Sequence, residues 1–229
     1  MERLYTRETY KSKEEWLKSR GLGGSSASAI LGKNPNMTII ELYKAIVMPR
    51  GNKIEQTNES MTYGTKCEPL IRKLFAYDFK EKYRVHTPSN FEMYRRTDKP
   101  YMTATLDGVI TEKKTHRKGI LEIKTHDVRN KKDLQEWKDH IPDNYYIQVL
   151  HYLLVMTDFE FAVLTAKLKY YDFFSEEGKK LLKTEIVYYY IDRNDERIKN
   201  ELAFLEKKET EFWENNVLKK KIPTLKLTF

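Results

Sequence analysis

Asp107 in ATLDGVI, and Glu122 with Lys124 in ILEIKT, are the residues whose types and spacing could do chemistry together. Both stretches read as β-strands, separated by a polar hairpin segment, TEKKTHRKG. Side chains two apart on a strand share a face, so Glu122 and Lys124 project together while Leu121 and Ile123 point the other way. If the strands pair, antiparallel partners come within about 5 Å, and Asp107, just before a glycine at its strand end, can meet Glu122. Upstream, Glu68 falls at i with Ile71 and Phe75 at i+3 and i+7, so a helix here carries a carboxylate on its apolar face. Pro69 puts Glu68 at a terminal or distorted position of that helix. Three anions then share a small volume with one cation, and protonation or a divalent metal must relieve the repulsion. Hard oxygen ligands favour magnesium, with manganese able to substitute, because such ions take carboxylates, waters and phosphate oxygens together. A solvated Glu122–Lys124 ion pair on an exposed strand is the plainer reading.

The elements that must position these residues follow from periodicity and turn chemistry. Helices are expected over residues 13 to 20, after GLGGSSAS with Ser25 or Ser26 as cap, and over residues 38 to 47. A polar loop, Arg50 to Glu59, leads into the Glu68 segment. Strands are expected at Phe91 to Arg96, Tyr101 to Val109, Ile120 to Thr125, Phe159 to Lys169 and Glu185 to Ile191. Residues 143 to 156 read as a buried helix that places Gln148 and Tyr152 on one face, one turn apart. Ile198, Leu202, Leu205 and Phe212 mark the apolar stripe of a closing helix that Asp192 could cap. The expected fold is α/β, a mixed central sheet flanked by helices. One domain spans residues 1 to 229: N-terminal helices over 1 to 60, a core over about 61 to 191, then a helix and basic tail over 192 to 229.

Composition narrows the class. The 229 residues are 40% hydrophobic, too apolar for disorder and long enough for a real core. The single cysteine, Cys67, excludes a disulfide scaffold, a cysteine-built zinc site and a four-cysteine cluster, and fits a reducing compartment. No apolar run is long enough for a membrane span and no signal peptide is visible, so a cytoplasmic location is expected. A net charge of +8 suits a polyanionic partner such as DNA. Arg129, Lys131 and Lys132 with Trp137 could contact phosphates and stack on bases, or form a solvated loop. The tail VLKKKIPTLKLTF could add an edge strand or meet a partner.

An Asp followed by Glu-x-Lys is the PD-(D/E)xK nuclease signature, which this sequence resembles, and the Gln148/Tyr152 spacing is similar to the motif after the catalytic strand of RecB-type nucleases. Trp16 with Arg20, GLGGSSASAILGKNP, MTYGTKCEPLIRKLF, LDGVI, LEIKT and IPDNYYIQVLHYLLV follow in collinear order. Together they resemble phage lambda-type alkaline exonucleases, in particular the YqaJ-like viral recombinase family, over about residues 13 to 156. That resemblance implies a restriction-endonuclease-like core and a 5′-to-3′ exonuclease on double-stranded DNA ends, leaving 3′ tails for a phage single-strand annealing protein. It implies Asp107, Glu122 and Glu68 as metal ligands, Lys124 orienting or deprotonating the attacking water, and Gln148 beside the site. Trp16 and Tyr152 would contact DNA, while Arg20 and Ser25 would receive a 5′-terminal phosphate, chemistry suited to a guanidinium fork and a glycine-rich turn. A homo-oligomer, trimeric in relatives, is also implied. Leu106 stands where the family commonly has Pro, and Ser26 where relatives often carry an acid; Ser28 is an alternative to Ser25. Other functions on the same core are a structure-specific or nicking endonuclease, an inactive end-binding protein and a metal-binding regulator.

Overall fold

The computed structural model describes residues 2–48, 59–171 and 182–224. In chain order, strand β1 (Tyr5–Thr9) precedes helices α1 (Lys13–Ser19), α2 (Gly24–Ile30), α3 (Ile39–Val47) and α4 (Glu59–Asp78). Strands β2 (Tyr83–His86), β3 (Glu92–Arg96), β4 (Thr103–Ala104), β5 (Gly108–Glu112) and β6 (Lys118–Asp127) follow. Helices α5 (Lys131–Asp139) and α6 (Asp143–Val155) lead to β7 (Phe161–Tyr171) and β8 (Leu182–Asp192), and α7 (Glu196–Phe212) ends in a π-helical turn, Trp213–Val217.

The central sheet has the order β2-β5-β6-β7-β8, with β6 and β7 parallel and the other pairs antiparallel. The parallel pair is joined through α5 and α6, as a crossover requires. Alternation then sorts the core. Ile120, Ala162, Leu164 and Ala166 face one side, with Leu150 and Leu153 of α6 and Leu202 and Leu205 of α7. Leu121, Ile123, Phe161 and Val163 face the other side, against Ile71 and Phe75 of α4. Covered on both faces, β7 reads FAVLTA, nearly continuously apolar. The expected mixed sheet flanked by helices is what forms.

Local chemistry explains how α6 and α2 are seated. Arg193 donates to the Met156 carbonyl at 3.0 Å and to that of Leu153, satisfying acceptors at the end of α6. Gly24 allows α2 to close onto α6, since a β-carbon there would lie 2.2 Å from Gln148 Cγ. The buried His151 ties α6 to α7 and β4, meeting Glu209 at 2.9 Å and the Thr103 carbonyl at 2.9 Å. No helix among the described residues is long and apolar enough to cross a membrane.

Several sequence expectations change. Tyr101 to Val109 is two strands, not one: β4 joins a separate three-stranded sheet, β1-β3-β4, while β5 enters the central sheet. The α2 cap is Gly23, whose N–H is accepted by Ser26 Oγ at 3.3 Å, rather than Ser25 or Ser26. Asp195, not Asp192, caps α7; Asp192 instead pairs with Arg117 at 2.8 Å. Pro69 lies inside α4, which continues through it. Residues 131–139 are a helix whose Trp137 is 1% exposed, so this ring is not available to stack on a base. The Arg50 to Glu59 loop, save its last residue, and the final LKLTF of the tail lie outside the described residues.

Candidate active site

The β5–β6 register pairs Gly108 with Leu121, and one step further along places Asp107 opposite Glu122. Asp107 Oδ2 accepts the Ile123 N–H at 2.7 Å, which anchors it to the partner strand. Glu122, 1% exposed, accepts on Oε1 from Lys124 Nζ at 2.6 Å and from Gln148 Nε2 at 2.8 Å. Its other oxygen, Oε2, is buried with no hydrogen-bond partner among the described residues. Burial, then the Asp107 charge, pushes the Glu122 carboxyl up to about 8, and burial likewise raises Asp107 against the pull of Lys124. Lys124 moves the opposite way in charge terms: burial pulls its ammonium down, yet Glu122 and Asp107 carry it above the ordinary lysine range. It stays a cation, further steadied by the Tyr145 ring 5.2 Å away.

Glu68 stands across the cleft on α4, its carboxylate gripped by Arg72 one turn later. Its carboxyl is raised, first by burial and then by Asp107, with Arg72 and Lys124 opposing. The charge inventory read from sequence therefore lacked a cation, because Arg72 joins Lys124. Among the described residues no group of three or more histidine, cysteine, aspartate or glutamate side chains is gathered tightly enough to cage a metal ion. What the site offers is the Asp107–Glu122 carboxylate pair with one orphaned buried oxygen. That donor set fits magnesium, which keeps waters and uses one or two carboxylates plus substrate phosphate rather than a closed protein cage.

Gln148 and Tyr152 lie on one face of α6 as their spacing requires. The Gln148 amide bridges Glu122 Oε1 and the Tyr152 hydroxyl, each at 2.8 Å. Tyr152 is 7% exposed and stands behind Gln148, so its hydroxyl holds that amide.

These side chains open into a cleft of about 750 Å³ that Trp16 and Arg20 also line. Arg20 is exposed, and its guanidinium lies 4.8 Å over the Trp16 ring beside Gly23. Trp16 Nε1 is buried without a partner among the described residues. Ser25 is exposed but does not line this cleft. Ser28, 1% exposed, is committed to local structure, donating to the Ser25 carbonyl at 3.0 Å and accepting from Asn34 at 3.1 Å. Arg72, Tyr145 and His126 are additions that the sequence reading missed. Arg72 was visible as a partner for Glu68 at i,i+4, and His126 continues the Glu122, Lys124 alternation.

The fold and site define a class: a restriction-endonuclease-like core with an acidic pair, a lysine and a glutamine in an open cleft. Its fold is shared with an alkaline exonuclease, LHK-Exo from Laribacter hongkongensis, at a TM-score of 0.50 and 17% identity, covering 91% of this chain and 100% of that one. A phage-related exonuclease from Haemophilus somnus 129PT superposes with a TM-score of 0.52 at 14% identity, over 90% of this chain and 98% of the other. The model of the YqaJ-like viral recombinase domain matches residues 15–160, and the chain belongs to that family. The uncharacterized protein YqaJ of Bacillus subtilis (strain 168) is 33% identical over 223 residues, covering 93% of this chain and 59% of YqaJ. The chain thus spans less than two thirds of that relative's length.

Proposed function

We propose that this chain is a magnesium-dependent deoxyribonuclease that digests linear duplex DNA from 5′ ends and leaves 3′ single-stranded tails. The nuclease class is supported by family membership and by the fold shared with exonucleases. The observation that carries the reading further is the Asp107–Glu122–Lys124–Gln148 cluster with its orphaned Glu122 oxygen, opening into the cleft that also holds Arg20. Asp107 and Glu122 would hold the ion, with Glu68 facing them from α4. When bound, magnesium would supply Lewis-acid stabilisation of the scissile phosphate and a water acidified near neutrality. Lys124, kept cationic by its acidic neighbours, orients the attacking water and offsets charge growing on the phosphate oxygens. Gln148 holds Glu122 in its rotamer, and Tyr152 holds Gln148. Arg20, with the Trp16 N–H beside it, receives the 5′-terminal phosphate. Products are 5′-mononucleotides. The family resemblance extends the proposal to a ring-forming homo-oligomer acting in a bacterial cytoplasm and passing its tails to an annealing protein.

Magnesium-dependent digestion of a linear duplex carrying a 5′ phosphate or a 5′ hydroxyl on each strand tests this reading. Preferential loss of the phosphorylated strand is expected. Digestion from 3′ ends would overturn the polarity, and cleavage of a covalently closed circle would favour a nicking endonuclease.

A further inference from the structure

β6 supplies a run of cleft-lining residues, Glu122 to Asp127. Glu122, Lys124 and His126 alternate onto the same face, and all three line the cleft. The strand rise puts His126 roughly 7 Å beyond Lys124, a separation of the order between successive phosphates on a strand. The imidazole is oriented from α5 on two sides. Nε2 meets the Asp133 carboxylate at 2.8 and 3.0 Å, and the ring lies 5.4 Å from that of the buried Trp137. Asp133 is itself fixed by the helix start: it accepts the Arg129 N–H at 3.0 Å, and its own N–H donates to Asn130 at 2.9 Å. With Nε2 committed to Asp133, the free valence of the ring is Nδ1, which has no partner among the described residues. Arg129, whose side chain is 83% exposed, lies on the rim and shares Asp133 through a 3.8 Å ion pair, while the neighbouring Asp127 is occupied by Lys169 at 2.8 Å.

We propose that His126 is a substrate-positioning residue whose Nδ1 binds an oxygen of the phosphate next to the one handled at Lys124. This rests on the nuclease reading of the cleft. Donation from both ring nitrogens, Nε2 to Asp133 and Nδ1 to the phosphate, would join the ring to both anions. The residue therefore fixes which phosphate stands at the Asp107–Glu122 pair, by holding its neighbour.

Two substitutions separate this role from a structural one. His126→Gln retains an amide N–H for Asp133 and has nothing in the place of Nδ1, whereas His126→Asn keeps a donor near the Nδ1 position and cannot reach Asp133. Binding of a 5′-phosphorylated duplex is measured by fluorescence anisotropy in a Glu122→Gln background, and KM, kcat and Tm in the chain with Glu122 intact. For His126→Gln, Kd and KM rise about tenfold, the effect of one charge-assisted contact. Its kcat stays within about twofold and its Tm is unchanged, as expected for a contact that aligns substrate rather than building the fold. His126→Asn recovers part of the affinity at a lower Tm. Wild-type Kd and KM in His126→Gln, or a fall in kcat with KM unchanged, would overturn the positioning role alone. Failure of the unsubstituted protein to cleave linear duplex DNA with magnesium would instead sink the nuclease reading, and this inference with it.

Discussion

The two walls of the cleft are built on opposite plans. Around Glu122 the polar atoms are spoken for: Lys124 and Gln148 converge on one oxygen, Tyr152 holds Gln148, and Ile123 anchors Asp107. Around Trp16 the Arg20 guanidinium rests on the indole ring, and the buried indole N–H has no acceptor among the described residues. Leaving a buried donor unsatisfied costs about 1–3 kcal/mol, and a ligand that brought an acceptor to Trp16 would recover it. The Glu122 wall is organised before anything arrives. Its exception, the orphaned Glu122 Oε2, marks where that wall also awaits a ligand, and a cation is what a carboxylate pair would take. Under the proposed function, one wall would be preorganised for reaction and the other would serve recognition.

Substitutions on the two walls should therefore fail differently. Lys124→Ala removes the lysine paired with Glu122, and magnesium-dependent cleavage is expected to fall on the order of a thousandfold, as when a single transition-state donor is lost. Duplex binding should stay within about twofold of the unsubstituted protein. Purified Lys124→Ala protein that still cleaves at a comparable rate would break the assignment of this wall to chemistry. At the Trp16 part of the cleft, Arg20→Ala is expected to keep kcat on hydroxyl-ended DNA and to lose about tenfold in preference for a 5′ phosphate, the worth of one charge-assisted contact. End preference in mixed-strand digests reads this directly; an undiminished preference would move phosphate recognition away from Trp16 and Arg20.

How legible each wall was in the sequence follows the same division. Strand alternation is strict, so Glu122, Lys124 and their apolar neighbours could be assigned to faces from ILEIKT alone, and the helix period placed Gln148 beside Tyr152. Partners across tertiary space were harder to see. β1 reads YTRET, polar enough to pass for a loop, and becomes a strand through diagonal ion pairs, Arg7 with Glu92 at 2.6 Å and Glu8 with Arg95 at 2.9 Å. Trp137 looked like a surface aromatic because lysines surround it in sequence, yet the α5 period turns it inward against His126 and Tyr145. Tyr101 to Val109 looked like one strand because β-propensity does not reveal a chain passing from one sheet to another. Arg72 was overlooked for a different reason: Glu68 was read for its place beside apolar residues, while its partner lay one turn further along the same helix.

The smallest expected effect concerns stability and tests how closed the Glu122 wall is. Without metal, Asp107 and Glu122 hold protons more tightly in the folded chain than in the unfolded one, because burial and mutual repulsion disfavour their charged forms. Between the ordinary glutamate value of 4.5 and about 8, where Glu122 titrates when folded, the native state binds the extra proton. Stability falls with rising pH wherever the native state holds more protons. The Glu122 contribution is thus complete below the ordinary carboxylate range and is lost as pH rises through its raised value. Glu92, Asp98 and Glu206 are lowered and act in the opposite sense, but only under more acidic conditions. His151, which burial pulls down but the Glu209 charge raises overall, acts in the same sense as Glu122, so the comparison must be with Glu122→Gln. In EDTA, Tm of the unsubstituted protein should fall more steeply between about pH 5 and pH 8 than that of the variant. Magnesium should flatten the first slope and leave the second unchanged, since a bound cation replaces the proton as counter-charge. Equal slopes in EDTA would mean that Glu122 ionises freely, and that the chemical wall is as open to solvent as the one that carries Arg20.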